Sequence, residues 1–307
     1  MKTNNLSIRQ IKIYAAIAII LSFFLIVVMP TAFAFDYIDF IEGWLDTINN
    51  GVFQEASTIF GGNYFNIIIN STGAGSINAI KTTIAGLAGG LVVVYALMHL
   101  VKSMYKGGDM MELLLKALAE VFIGIAVITY LNDILTALDG LGKGIFDLVT
   151  GTATESTLEI TAEDVLGTDD PGFFVFLKGV FILFLPYICA EAAKVIAKII
   201  SFSILIELGI RKAFAPFACA SIVGEGFRSP GVRYLKKYFA TWLKQSIIVV
   251  VCVVVGQVES AVLETVTIGG GSVAEMGELL FTVVALNFTA IGVMMKAGEF
   301  TNDIVGA

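Results

Sequence analysis

Few residues in this 307-residue chain have the types and spacing that catalysis or metal binding needs. Its one histidine, His99, lies in an apolar segment, and Lys116 and Glu120 stand one helical turn apart in the next. An ionisable pair inside a membrane is a candidate functional site by default, but a lysine near a helix end can extend to the membrane surface. The sequence contains no H-E-x-x-H, G-x-S-x-G or G-x-x-x-x-G-K-[ST] motif. We therefore predict a protein that is not an enzyme, with no catalytic, cofactor-binding or metal-binding residues. His99 is interpreted as a packed or interfacial side chain.

The three cysteines do not change that prediction. Cys189, Cys219 and Cys252 lie in or beside apolar segments and form no C-x-x-C pair. Their spacing indicates neither a zinc site nor a disulfide framework. We interpret them as small, buried hydrophobic side chains.

The composition indicates a membrane protein. Hydrophobic residues make up 57% of the chain and charged residues 15%, with a mean hydropathy of +0.88, whereas a soluble domain has about 25% charged residues. A helix needs about 20 largely apolar residues to cross a bilayer. We predict an all-α polytopic membrane protein with about five transmembrane helices. The predicted spans are Ala79–Val101, Leu113–Leu135, Phe173–Ile210, Tyr238–Val258 and Leu279–Met295.

The N-terminus has the parts of an export signal. Three basic residues precede the apolar run Ile13–Met29, and Ala32-Phe33-Ala34 follows it. A basic start, an apolar core and small residues spaced A-x-A are typical of a signal peptide. The apolar run is longer than usual, so residues 1–34 are predicted to be either a cleaved signal peptide or an uncleaved signal anchor. Both place the following residues outside the cell membrane.

Acidic and basic residues are segregated along the chain. Segments 35–77, 132–172 and 259–278 together hold eighteen acids and one base, although the net charge of the whole chain is only −7. Basic residues near span ends stay in the cytoplasm. We therefore predict that these three segments are extracytoplasmic and that the basic loop 211–237 is cytoplasmic. Within a helical membrane domain from 78 to 307, the mature N-terminus is then outside and the C-terminus inside.

That assignment requires the long apolar stretch Phe173–Ile210 to cross the membrane once. We predict that its helix bends near Pro186 and continues past the membrane, with Lys194 and Lys198 in water. The next piece, Ala213–Gly224, is too short to cross and contains a proline, which indicates a re-entrant or interfacial segment.

Several uncharged residues are expected to pack the helices together. Gly86 and Gly90 form a G-x-x-x-G pair that permits close helix contact, and Asn287 and Gln245 lie inside predicted spans where amides can hydrogen-bond between helices.

The basic loop and its flanks also carry a resemblance. The order of an apolar helix, R-K-A-F-A-P-F, small residues, E-G-F-R-S-P-G-V-R-Y-L-K-K and a further apolar span resembles the TrbL-type polytopic inner-membrane subunit of type IV secretion and conjugation systems. The resemblance is best from Phe173 to Lys296. It implies an oligomeric core component of the bacterial cytoplasmic membrane that helps to form or gate the route for DNA or protein. It also implies contacts with other membrane subunits and cytoplasmic ATPases of the machine, and by analogy transient contact with the transferred substrate.

The basic loop is the expected place of partner contact, because it has the densest positive charge in the chain. The residues assigned to this contact are Arg211, Lys212, Pro216, Glu225, Arg228, Arg233, Tyr234, Lys236 and Lys237. The alternative function is a secondary transporter or an ion channel. Transporters often show internal repeats with broken helices at matching positions, and this sequence has one broken segment and no repeat.

Overall fold

The computed structural model describes residues 37–107, 109–154, 161–166, 173–223, 228–264 and 273–306. The predicted signal sequence and Glu225 lie outside these ranges. The helices are α1 (Tyr37–Gly61), α2 (Asn63–Phe65), a π-helical turn (Asn66–Asn70), α3 (Ile77–Met104), α4 (Met110–Thr154), α5 (Ala162–Leu166), α6 (Phe173–Ala220), α7 (Pro230–Glu264) and α8 (Val273–Val305). The described part of the chain contains no β-strand.

Four of the helices are long and apolar enough to cross a membrane. They contain the segments Ile77–Met104, Phe174–Ala220, Pro230–Val258 and Phe281–Val305. The prediction of a polytopic helical membrane protein is confirmed by these four. The fifth predicted span, Leu113–Leu135, lies in α4, which is not one of the four, so the number of crossings stays a prediction.

Helix α6 is the centre of the fold and contacts α1, α3, α4, α7 and α8. Its 48 residues extend about 72 Å at 1.5 Å per residue, more than twice the roughly 30 Å hydrocarbon layer. Helix α1 follows its N-terminal half, where Trp44 stacks on Tyr187 at a centroid distance of 4.7 Å. Helix α3 begins beside its C-terminal part, where Ile77 contacts Gly209. Different helices therefore cover the two ends of α6.

The core is centred on an aromatic group from three helices. Trp242 of α7 is 1% exposed, and its ring centroid lies 5.1 Å from that of Phe65 and 6.0 Å from that of Phe60. Helix α4 completes the group through Gly142, where an added Cβ would overlap the Trp242 indole. The glycine lets the backbone of α4 approach the indole face. This packing fixes the relative register of α4 and α7.

The structure corrects two expectations about local conformation. Ala213–Ala220 continue α6 with Pro216 inside the helix, so the helix is not broken at this proline, and the re-entrant or interfacial position predicted for Ala213–Gly224 stays a prediction. A proline is tolerated in a long helix when neighbouring helices pack around it, and Ala215 and Cys219 beside it are fully buried. The segment predicted as an outside loop from residue 132 is helical as far as Thr154.

Two ion pairs also revise the predicted boundaries of the membrane segments. Lys198 Nζ lies 3.1 Å from Glu55 Oε2, and Lys212 Nζ lies 2.8 Å from Asp139 Oδ2. The charge pattern assigned the members of each pair to opposite sides, but residues in direct contact share one depth. The assignment of segments to one side of the membrane by their charge assumes that every charged side chain faces water. Glu55 and Asp139 are instead paired with lysines of α6. The boundaries near these pairs must move, and the sides on which the termini lie stay a prediction.

Candidate functional site

The most completely built polar site is a buried ion pair between α4 and α6. Lys212 is 4% exposed and Asp139 is 8% exposed. Besides the lysine at 2.8 Å, the Asp139 carboxylate accepts hydrogen bonds from the Trp242 indole N–H at 2.9 Å and from the Tyr238 hydroxyl. Lys212 also donates to the Ile69 carbonyl at 3.2 Å. Burial of charges is tolerated only when they are paired and hydrogen-bonded, and this pair meets both conditions.

Helical spacing explains how the sequence brings these groups together. Tyr238 and Trp242 are four residues apart on α7, which places them on one face of that helix. The Ile69 carbonyl lies near the end of the π-helical turn, where the last carbonyls lack partners within the helix. It accepts from Lys212 and from the Asn78 side-chain amide at 3.1 Å. The site therefore joins α3, α4, α6, α7 and the turn.

A second buried lysine, Lys81 of α3, lies beside this ion pair. Its ammonium donates to the side-chain oxygens of Asn78, at 3.2 Å, and of Asn132. It is 7% exposed, and no ion pair found among the described residues includes it. Lys81 is thus a buried cation bonded to neutral acceptors.

Both lysines line an open cavity of about 460 Å³ between α3, α4 and α6. Its walls combine amide, hydroxyl and ammonium groups with an apolar part, and no aspartate or glutamate belongs to them. The lining residues are Asn70, Thr72, Asn78, Lys81, Thr82, Ala85, Ile128, Thr129, Leu131, Asn132, Thr136, Lys212 and Pro216. This arrangement suits the binding of an anion. The described residues contain no group of three histidine, cysteine or acidic side chains that could hold a metal ion.

His99 belongs to a separate polar contact at the far end of α3. Its Nδ1 lies 2.9 Å from Glu120 Oε2 of α4, and Glu120 is mostly buried. The sequence suggested Lys116 as a neighbour of Glu120, but Lys116 is exposed and the carboxylate instead contacts the histidine. His99 thus links two helices, in agreement with its interpretation as a packed residue. Cys219 and Cys252 are buried, Cys189 is half-buried, and all three thiols are free.

The residues predicted to contact partners fall into two groups. Arg228, Arg233, Lys236 and Lys237 are exposed at or near the start of α7, and we call these four residues the basic surface.

The other described residues that were predicted to contact partners do not belong to this exposed surface. Lys212 is buried in the ion pair, so it cannot contribute to a docking surface. Pro216 lines the cavity, and Arg211 pairs with Glu207 at 2.7 Å. The Tyr234 hydroxyl donates to the Arg211 carbonyl at 2.9 Å, which ties the start of α7 to α6.

The residues that were predicted to pack helices together do not all make contacts between helices. Gly86 and Gly90 are exposed, and an added Cβ at either would meet no atom within 4 Å, so this pair packs against no helix in the described part of the chain. Asn287 is buried and donates to the Val283 carbonyl of its own helix at 3.2 Å. Gln245 is confirmed as a link between helices, because its amide donates to the Ala56 carbonyl at 2.8 Å and to Ser201 Oγ at 3.1 Å.

Sequence analysis missed Lys81 and the partner of Lys212. A signal for Lys81 existed, since it is the only lysine or arginine between Lys12 and Lys102 and lies at the start of an apolar run. Asp139 had no such signal, because it is one of nine acids in the segment 132–172.

Comparison of the chain with protein-family models, with curated proteins and with solved structures found no match.

Proposed function

We propose that this chain is a non-catalytic, multi-pass membrane subunit of a type IV secretion machine, which helps to form or gate the route of the transferred substrate. Support comes from the TrbL-like order of residues between Phe173 and Lys296 and from the four apolar helices. In this proposal α4 makes a fifth crossing, the mature N-terminus lies outside the cytoplasmic membrane and the C-terminus inside.

The observation that carries the proposal is the basic surface. Arg233, Lys236 and Lys237 lie within five positions of one another and are all exposed. The hydrogen bond from Tyr234 to α6 holds their helix turn in place, so the charges form a fixed surface. A fixed positive surface suits contact with an acidic surface of a neighbouring subunit or of a cytoplasmic ATPase.

Exposed apolar side chains support the oligomeric part of the proposal. Leu87 of α3, Phe122 of α4 and Phe288 of α8 are each more than 60% exposed. Exposed apolar side chains of this size are covered by lipid or by protein in a stable state. In an oligomer of this subunit within the bilayer, these side chains contact either lipid or a neighbouring subunit.

Charge reversal tests the role of the basic surface. In cells that carry the complete transfer system, Arg233→Glu with Lys236→Glu should lower transfer at least about tenfold, since like charges across an interface cost several kcal/mol. The matched control is Lys102→Glu with Lys106→Glu, which reverses two exposed bases at the end of the first predicted span. Membrane level and reporter topology are measured in the same cells. Normal transfer by a correctly inserted Arg233/Lys236 variant would show that these residues are only a topological anchor.

The gene neighbourhood provides an independent test of the machine itself. Genes for a relaxase, a coupling ATPase and a secretion ATPase should lie close to the gene for this chain. Their absence, together with normal transfer after deletion of this gene, would reject the secretion proposal.

One observation favours the second candidate function, a secondary transporter or an ion channel. Lys81, Asp139 and Lys212 are ionisable groups buried beside a cavity of a membrane protein, a setting that often marks a substrate path. Purified protein in liposomes should then carry a small anion down its gradient, and Lys212→Met should stop it. The secretion proposal expects no such flux.

A further inference from the structure

We propose that the cavity between α3, α4 and α6 binds a phosphate group through Lys81 and Lys212. This inference goes beyond the proposed function and does not depend on it. The phosphate comes either from the headgroup of an anionic lipid or from a soluble phosphate, because the same donors recognise both.

Among the residues that the structure describes, one positive charge beside the cavity has no counter-ion. Asp139 neutralises Lys212 at 2.8 Å, whereas the acceptors around Lys81 are the neutral amide oxygens of Asn78 and Asn132. A buried ammonium is costly unless an opposite charge accompanies it. An anion in the cavity supplies the opposite charge that the described part of the chain does not place beside Lys81.

The remaining hydrogen-bond donors match the acceptors of a phosphate. An ammonium has three N–H donors, and the contacts of Lys81 and of Lys212 each account for two. Asn132 uses its side-chain oxygen toward Lys81, which leaves its N–H₂ group to donate. The hydroxyls of Thr72 and Thr136 also belong to the wall. Phosphate oxygens accept several charge-assisted bonds at once.

The size and position of the cavity suit a lipid headgroup. Its volume of about 460 Å³ is within the usual range for small-ligand sites. Lys81 is the fifth residue of α3, so it lies at the end of a helix that can cross the membrane. Lipid phosphates lie at this depth, beyond the hydrocarbon layer. Ile128 and Leu131 form an apolar wall next to the polar one, which accommodates the first carbons of an acyl chain.

Binding is measured by calorimetric titration of the purified full chain in neutral detergent. The probes are dioctanoyl-phosphatidylglycerol, dioctanoyl-phosphatidylcholine and inorganic phosphate. A lipid site binds phosphatidylglycerol at least about tenfold more tightly than phosphatidylcholine and inorganic phosphate, which corresponds to about 1.4 kcal/mol. A soluble-phosphate site binds inorganic phosphate at least as tightly as either lipid. If neither phosphatidylglycerol nor inorganic phosphate binds, the proposal is wrong.

Two variants with matched controls locate the binding. Lys81→Gln should weaken binding of the preferred probe at least about tenfold, whereas Lys116→Gln, which removes an exposed lysine outside the cavity, should not. Thr136→Glu adds a negative charge to the cavity wall without removing a buried group, so it tests the site even if Lys81→Gln fails to fold. Its control is Ala137→Glu, an exposed neighbour outside the wall. Equal effects of Thr136→Glu and Ala137→Glu would refute this location.

Discussion

Removing the charge of Asp139 tests the buried ion pair that joins α4 to α6. In Asp139→Asn the side chain keeps its shape and one oxygen that can accept from Trp242 and Tyr238. Lys212 loses its counter-ion while only 4% of it is exposed. We expect this variant to lose more stability than any substitution at an exposed ion pair of the chain.

The magnitude follows from the contacts of the two residues. Leaving one member of a buried ion pair unpaired costs about 3–5 kcal/mol. Hydrogen bonds to a charged acceptor are worth about 1.5–3 kcal/mol against about 1 for a neutral one, so the bonds from Trp242 and Tyr238 also weaken. These losses share one site and do not add fully. We therefore expect a destabilisation of about 3–5 kcal/mol for Asp139→Asn.

The assay is denaturant unfolding of purified protein in detergent, followed by circular dichroism. The matched control is Asp147→Asn, which breaks the exposed pair between Lys143 and Asp147 on the same helix. That change should cost about 0.3–0.5 kcal/mol. A cost for Asp139→Asn as small as that of Asp147→Asn would refute the buried ion pair.

A double-mutant cycle separates the ion pair from general damage. Lys212→Met alone leaves Asp139 as an unpaired buried carboxylate, although the Ile69 carbonyl still accepts from Asn78. Combining Lys212→Met with Asp139→Asn removes both charges, and replacing a whole buried pair by neutral groups is often neutral or stabilising. The double variant should therefore be more stable than either single variant. Additive losses would mean that the two side chains do not interact.

Two further predictions test the packing of α4 and the position of α1. Gly142→Ala should destabilise the protein by about 1–3 kcal/mol, because the new methyl group overlaps Trp242. The control is Gly140→Ala, whose Cβ has no atom within 4 Å and which should be neutral or stabilising by up to about 1 kcal/mol. The unfolding assay described for Asp139→Asn measures both variants. Cysteines at Glu55 and Lys198 should be joined by a short bifunctional reagent, because their side chains meet at 3.1 Å. Failure of that cross-link, with both cysteines reactive singly, would restore the predicted separation of the two segments.

Local patterns in the sequence were sufficient for the class of protein and for most of its helices. Apolar runs predicted the spans of α3, α6, α7 and α8, because a bilayer requires such runs of every crossing helix. The single amide of Gln245 within an apolar run was enough to expect a hydrogen bond between helices. The exposed positions of Arg233, Lys236 and Lys237 agree with the density of charge in that segment.

The sequence could not show which polar residues meet. Lys81, Asp139 and Lys212 are far apart along the chain, and each has a local neighbourhood that explains it as an ordinary loop or helix-end charge. Charge counting treats such residues as independent and exposed to water, so it placed Asp139 and Lys212 on opposite sides of the membrane. Direct contact at 2.8 Å replaces that arrangement. Apolar periodicity is a local property that the sequence determines, whereas the pairing of buried charges depends on how the helices pack side by side, and only the tertiary structure decides it.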